Sequence, residues 1–393
     1  MLRVFNKGVE NGCLITSLRE GIVTLIPKAG KPADSVKGWR PISLLNTDFK
    51  IISATITNRL KGVMDKLISP NQSAYVKGRY IAENSRLVYD VIDHLNRSGK
   101  RGFILAADIE GAFESVSWPF LRKALDYYNF GENFKRLIKV VYLNDANYSR
   151  IMLDGFLGEK IVLYQGIRQG DPASGYLFNL AMEPLTNQIL QSGTLRGVMI
   201  KDLEIKISQY ADDVIMFLEP SEEALKGALE EMETFSSFSG LHINISKTKC
   251  MPIGCNGQIA NSIGITCVEE LKILGITFNC KNQEVTDKNI SGVVPIVEKE
   301  IAQWKRRNLS FVGKITVTKS LLMSKLVHIL MALPNPSKKM VQRVESLWYK
   351  FIWNDRQDLV KRTKAVQGYN HDGFNMIDLW SFIKSMKISW VKR

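Results

Sequence analysis

The chain has 393 residues, 45% hydrophobic and 23% charged, an ordinary globular composition with length for about two or three packed units. No apolar run approaches the roughly 18 residues of a membrane span, no secretory h-region follows Met1, and five cysteines without a CxxC pair support neither a disulfide framework nor a zinc knuckle, so a reducing, intracellular setting fits best. Net charge is +14, and 18 Lys/Arg against 5 Asp/Glu from Ile301 to Arg393 concentrate +13 in the last quarter; this points to a polyanion gripped by one region, the alternative being a solvated helical face.

In chain order, "GIVTLIPK" reads as a strand, "AGKPADSVKG" as a basic loop, "WRPISLL" as a second strand and "TDFKIISATITNRLKGVMDKL" as a helix. "IAENSRLVYDVIDHLNRS" spaces Leu87, Val91 and Leu95 at helical intervals and ends between Gly99 and Gly102. "GFILAADIEGAF" is a buried strand ending in Asp108, followed by a turn and a helix from about Trp118. "IVLYQGIRQGDPASGYLFNLAMEPLTNQIL" is a Gly/Pro-rich loop feeding a long helix. The stretch from Leu203 to Leu218 then alternates, breaks at Asp212 and Asp213, and turns apolar, which predicts a hairpin with both carboxylates at its tip. A helix through "SEEALKGALEEMETFSSFSG" stops at Gly240, and "LHINISKTKCMPIG" is a following strand. A boundary is expected near 280–300, where "NCKNQEVTDKNISG" is polar, before basic helices through "FVGKITVTKSLLMSKLVHILMAL" and "KKMVQRVESLWYKFIW". Trp304, Trp348 and Trp353 sit at spacings that favour a core role over base stacking.

Alone, the Asp212–Asp213 pair reads as a solvated turn. The order β(Asp108)–α–β–turn(Asp212, Asp213)–β–α–β, however, fits an antiparallel sheet with helices on one face, the ferredoxin-like arrangement. Its first strand lies beside the hairpin, so Asp108 and Asp212 meet. Crowded carboxylates repel unless a cation compensates, and hard oxygen ligands select Mg²⁺ or Mn²⁺. Two such ions roughly 4 Å apart support in-line phosphoryl transfer.

"YADD" (210–213), "AADIEGAF" (106–113) and "GIRQGDPASGYLFNLAMEPL" (166–185) resemble the palm motifs of reverse transcriptases. "LIPKAGKPADSVKGWRPISLLNTDFKIISATITNRL", "NQSAYVKGRYIAEN", "SGLHINISKTK", "LKILGITF" and the C-terminal "WKRRNLSFVGKITVTKSLLMSKLVHILMALP…FIW" are similar to polymerases of LINE-type non-LTR retrotransposons. The resemblance implies an α+β right-hand polymerase: fingers over 1–100, a ferredoxin-like or RRM-like palm over 101–285 with finger elements interleaved at about 118–165, and a basic helical thumb or connection over 286–393. It implies RNA-directed DNA synthesis from dNTPs on an RNA template with a DNA primer, no membrane, and a nuclear location.

Residue by residue, Asp108 and Asp212 would ligate two Mg²⁺ ions (or Mn²⁺) with the backbone carbonyl of Ile109, and Asp213 would assist. Phe113 would bar a ribose 2′-hydroxyl, or be a core phenylalanine. Gln169 and Gly170 would lie against the nascent pair, or form an ordinary turn. Arg40 and a lysine of the loop (Lys28, Lys31 or Lys37) would hold the triphosphate. Lys247 would act at the leaving group, or be solvated. Arg79 would stand near the template path, and Lys305, Arg306, Arg307 and Lys314 would meet phosphates of the bound duplex. The chain departs from the family pattern at Ala173 and Gly175 (usually Leu and Pro), at Gly111 and Glu114, and in "ILGI". It reads as a piece of a polymerase, with a separate endonuclease region expected in the intact element. Two other readings stay open: an inactive, element-derived RNA-binding protein, and an RNA-templated RNA polymerase or nucleotidyl cyclase on the same palm.

Overall fold

The computed structural model describes residues 1–392 apart from 29, 31 and 33, and the side chains of Lys37 and Lys392 are also left undescribed. The chain divides into two compact units, residues 1–81 with 100–268 and residues 82–99 with 269–393. The boundary therefore falls before the polar stretch where the sequence places it, and that stretch opens the helix Val285–Lys305.

In the first unit, strands β1 (Glu20–Pro27) and β2 (Trp39–Leu44) form the expected antiparallel hairpin. Strand β4 (Tyr148–Leu153) adds to β1 in parallel, and the short β5 (Phe156–Leu157) and β6 (Ile161–Val162) pair with β4. The expected long helix after β2 breaks at Gly62–Val63 into Thr47–Lys61 and Met64–Leu67.

The second sheet carries the chemistry. Its order is β12-β11-β3-β10-β9, with β3 at Gly102–Ala107, β9 at Ile207–Tyr210, β10 at Asp213–Leu218, β11 at Lys249–Ile253 and β12 at Thr266–Cys267. The four strands β11-β3-β10-β9 are antiparallel neighbours in the spatial order 4-1-3-2 of a ferredoxin-like sheet. Successive side chains point to opposite faces of the sheet, and both faces of β3 and β10 are buried. Phe103, Leu105 and Ala107 of β3 stand in register with Leu218, Met216 and Val214 of β10, and all six belong to the main core. The helices Trp118–Tyr127, Ser174–Gln191 and Glu222–Ser239 pack together and contribute Leu121, Phe178, Leu180, Leu225 and Phe235 to that core. Each such side chain, when fully buried, contributes about 1.5–3 kcal/mol.

Two strand expectations are corrected. The stretch from Leu203 does not run as one strand: β8 (Leu203–Ile205) folds back on β7 (Val198–Ile200), and β9 starts only at Ile207. "LHINISKTK" is mostly not strand, because the Asn244 side chain accepts the Lys247 amide at 3.2 Å and its carbonyl accepts the Thr248 amide at 2.9 Å. That turn delays β11 to Lys249.

In the second unit, the hairpin β13 (Glu270–Ile273) and β14 (Ile276–Asn279) is tied to the helix Val285–Lys305 by the Lys288–Glu270 ion pair and by the Asn289 side chain. Asn289 accepts from the Thr277 amide and donates to the Thr277 carbonyl, both at 2.8 Å. The helix Ile81–Ser98 joins this unit, with Asn96 donating to the Cys280 carbonyl and Asn282 to that of Tyr89. These bonds explain why the sequence boundary misleads: polar residues there are helix-to-hairpin ties. Trp348 is fully buried and Trp353 packs on Phe311 at 4.8 Å, while Trp304 is half-buried beneath the Arg307 guanidinium.

Candidate active site

Antiparallel register sets the aspartates at one end of the sheet. Val214 pairs with Ala107, so one step further Asp213 stands opposite Asp108. Tyr210 pairs with Asp213, leaving Ala211 and Asp212 as the hairpin's two tip residues, and Ala211 is left-handed at φ 55°. Burial, then the Asp108 charge, raises the Asp212 pKa above the usual carboxylate value; burial and both neighbouring aspartates push Asp213 up to about 6. The Lys247 ammonium lies 2.9 Å from Asp108 Oδ2 and supplies one compensating charge.

This donor set fits a hard divalent cation. Positive charge would relieve the crowding that raises Asp212 and Asp213, and all three carboxylates offer oxygen. Ile109 bridges Ile243 through the Glu110 amide and the Asp108 carbonyl, which turns the Ile109 carbonyl to the other side of its chain. Among the described residues no three His, Cys, Asp or Glu side chains stand together so as to hold a metal ion; an ion at these aspartates would need further ligands from substrate oxygens.

Phe113 stacks on the core Phe178 with ring centroids 4.7 Å apart and an 11° tilt, so one face is fixed and the residue stays half-buried. Its carbonyl accepts the Ile167 amide at 2.7 Å, and the Val116 carbonyl accepts the Gly166 amide at 2.8 Å. The "GIRQGD" loop is thereby laced to the Asp108–Phe113 turn. Within it, Arg168 and Asp171 are buried, and Gln169 and Gly170 lie on the outer side. The Gln169 carbonyl accepts the Ser43 amide at 2.8 Å, and a Cβ on Gly170 (φ 103°) would stand 2.8 Å from the Ser43 carbonyl oxygen. Only glycine allows β2 to approach so closely. Arg40, three residues before Ser43 on β2, is exposed.

Lys28 sits where its charge lowers the Glu114 pKa, against burial, which dominates and raises it, and against the Asp212 charge, which adds to the rise. Glu114, noted in the sequence only as a departure, thus stands electrostatically between Lys28 and Asp212. Lys31 lies outside the described residues, as does the side chain of Lys37.

Two expected nucleic-acid contacts are turned inward. Arg79 donates from Nη1 to the carbonyls of Ser69 and Gln72, and from Nη2 to that of Ile68 at 2.8 Å, so it fastens its own loop. Lys314 is 7% exposed and donates to Asn354 Oδ1, because its helix buries the face on which it lies. Lys305 pairs with Asp355, whereas Arg306 and Arg307 are exposed.

The loop around residues 69–76 holds the residues that sequence reasoning missed. Gln72 binds the Ala211 peptide on both sides, and the Tyr75 ring covers Gly175, where a Cβ would stand 2.5 Å from ring carbon Cδ1. Gly175, in place of the family's usual proline, makes room for that ring, and the Asp212 charge helps raise the Tyr75 pKa. Glu183 anchors the loop by accepting the Ser69 amide at 3.0 Å. It is 2% exposed, and burial pushes its carboxyl up to about 7 against the pull of the Ser69 bond and Arg79. A raised carboxyl favours the neutral form in the fold, so its contribution is full below about 4.5 and is lost as pH rises through about 7. Glu183→Gln is expected to remove a fall in stability of at most ~3 kcal/mol between pH 5 and 8. Thermal melts across that range check it; parallel wild-type and variant profiles contradict it.

Comparison with known proteins agrees with this geometry. Residues 26–278 match the family model described as reverse transcriptase (RNA-dependent DNA polymerase). The chain is 30% identical over 366 residues to the "Transposon TX1 uncharacterized 149 kDa protein" of Xenopus laevis, covering 89% of this chain and 27% of that one. It is 28% identical over 261 residues to the "Retrovirus-related Pol polyprotein from type-2 retrotransposable element R2DM" of Drosophila melanogaster, covering 66% and 23%. The chain therefore spans about a quarter of the length of these two relatives. Among solved structures, telomerase from Candida albicans in complex with a TWJ fragment of telomeric RNA superposes with TM-score 0.53 at 10% identity, covering 90% of this chain and 66% of that one, a likeness of fold. Sheet topology, motif placement and the family match agree: the chain belongs to the reverse transcriptase (RNA-dependent DNA polymerase) family.

Proposed function

We propose that this chain is itself a working RNA-directed DNA polymerase, joining dNTPs to a primer 3′-hydroxyl on an RNA template. The observation that carries the reading is the complete carboxylate set, Asp108, Asp212 and Asp213, at one end of the β3–β10 pair. Members of this family use divalent metal ions. Here Asp108 and Asp212 would hold two Mg²⁺, with Asp213 and the Ile109 carbonyl assisting; bound there, the ions would activate the 3′-hydroxyl and neutralise triphosphate charge. Arg40 and Lys28 would bind the triphosphate, and Gln169 and Gly170 would abut the nascent base pair. Lys247 would leave Asp108 on substrate binding and protonate the departing pyrophosphate. Exposed Arg306 and Arg307 would meet duplex phosphates, giving salt-sensitive affinity. An endonuclease region would belong to the intact element.

Phe113, braced by Phe178, supplies a rigid wall against a 2′-hydroxyl. Phe113→Val is expected to raise rNTP use relative to dNTP on the order of 10–200-fold. Single-nucleotide extension of a DNA primer on an RNA template measures both rates. No dNTP extension by the unaltered chain would overturn the polymerase reading; unchanged discrimination in the variant would overturn the wall.

A further inference from the structure

We propose that Gln72 is a positioning residue for polymerisation, holding the backbone N–H and C=O of Ala211 so that the Asp212 carboxylate keeps its place at the hairpin tip. The tip has an intrinsic weakness. Ala211 occupies left-handed backbone, φ 55°, without being glycine, so the tip has a standing tendency to relax. One buried amide opposes it from both sides. Gln72, 1% exposed, accepts the Ala211 N–H on Oε1 at 2.9 Å and donates from Nε2 to the Ala211 carbonyl at 3.2 Å. The same Oε1 also accepts the Ala74 N–H at 2.9 Å, which fixes the amide's orientation because the nitrogen cannot accept.

The clamp is itself braced. Residues 71–73 lie along β9 as an added parallel segment, with the Gln209 N–H donating to the Asn71 carbonyl at 2.8 Å and the Ser73 N–H to the Gln209 carbonyl at 3.0 Å. Asn71 Nδ2 reaches the Ile207 carbonyl at 2.7 Å, and Asn179 of the long helix holds the Ala74 carbonyl at 2.6 Å. Arg79 gathers the carbonyls of Ile68, Ser69 and Gln72. A loop pinned to β9, to a core helix and to itself transmits that rigidity to the backbone of one residue, the one preceding Asp212. The hydrogen bonds described for the Gln72 side chain all go to backbone groups, of Ala211 and Ala74, so it acts through Ala211.

The proposal rests on the polymerase reading for its catalytic arm, and a second arm needs no catalysis. Gln72→Met keeps the length and shape of the side chain and removes both bonds to Ala211 together with the one from Ala74 N–H; Gln72→Glu keeps the acceptor and loses the donor. In protein without metal or nucleic acid, hydrogen exchange of the Ala211 and Asp212 amides is expected to quicken at least about ten-fold in Gln72→Met, with β3 unchanged. In primer extension, kcat is expected to fall about ten-fold or more while KM for dNTP and primer–template affinity stay within about two-fold. Gln72→Glu should lie between, and adding Ala211→Gly, which removes the left-handed penalty, should recover part of the lost kcat in Gln72→Met. Unchanged tip exchange, a loss carried by KM instead of kcat, or a loss that Ala211→Gly leaves untouched overturns the proposal. If Gln72→Met does not fold, Gln72→Glu carries the same comparison. An unaltered chain that extends no primer defeats the polymerase reading, while the exchange arm still decides the clamp.

Discussion

Asp212→Asn is expected to lower primer extension by about 10³-fold or more while leaving the protein folded and as heat-stable as before, or slightly more so. The loss follows from removing an oxygen ligand and charge aimed at the transferring phosphoryl group. The preserved stability follows from the site's electrostatics. Burial and the Asp108 charge raise the Asp212 pKa, so its ionised form is disfavoured in the fold, and its contribution declines as pH rises through that raised value. An uncharged isostere removes the repulsion at neutral pH. Thermal melts and extension rates on the same preparations check both halves; a variant extending within ten-fold of the unaltered chain contradicts the ligand role.

Gly166→Ala is the substitution expected to damage both fold and activity most. Gly166 has φ 81°, and a Cβ there would stand 2.5 Å from the Glu114 carbonyl oxygen, which is backbone and cannot swing aside. Its own N–H and C=O are committed, to the Val116 carbonyl at 2.8 Å and from the Trp118 indole N–H at 2.7 Å. Left-handed strain of about 1–2 kcal/mol adds to overpacking of about 1–3 kcal/mol, for a loss of roughly 3 kcal/mol. The same peptide laces Phe113 to the Gln169 loop, so residual folded protein is expected to extend primers at least about 100-fold more slowly. Chemical denaturation and extension rates of Gly166→Ala measure the two effects; wild-type values for both contradict this account of the loop.

The palm was legible from sequence because its signal is local. Continuous apolar runs in β3 and β10 mark buried strands, and three aspartates at strand ends mark where those strands stop. The long helix after the "RQGDP" loop and the stop at Gly240 follow from equally local rules. What escaped depends on contacts that have no period. Gln72 and Ala211 are 139 positions apart and meet only once the loop lies along β9. Gly175 stood out in the sequence only as a departure from the family's usual proline; its meaning lies in the Tyr75 ring 100 positions earlier. Arg79 and Lys314 looked like surface cations because charge is read from composition, whereas burial is decided by which face of a loop or helix turns inward. Asn289, in a stretch polar enough to resemble a linker, instead ties a helix to a hairpin.

The most direct measurement is incorporation of dTTP by the purified chain on a poly(rA) template primed with oligo(dT), with Mg²⁺ and with chelator, beside Asp212→Asn. The account predicts metal-dependent DNA synthesis by the unaltered chain and about 10³-fold less by the variant. No synthesis by the unaltered chain, or equal synthesis by both, would contradict it.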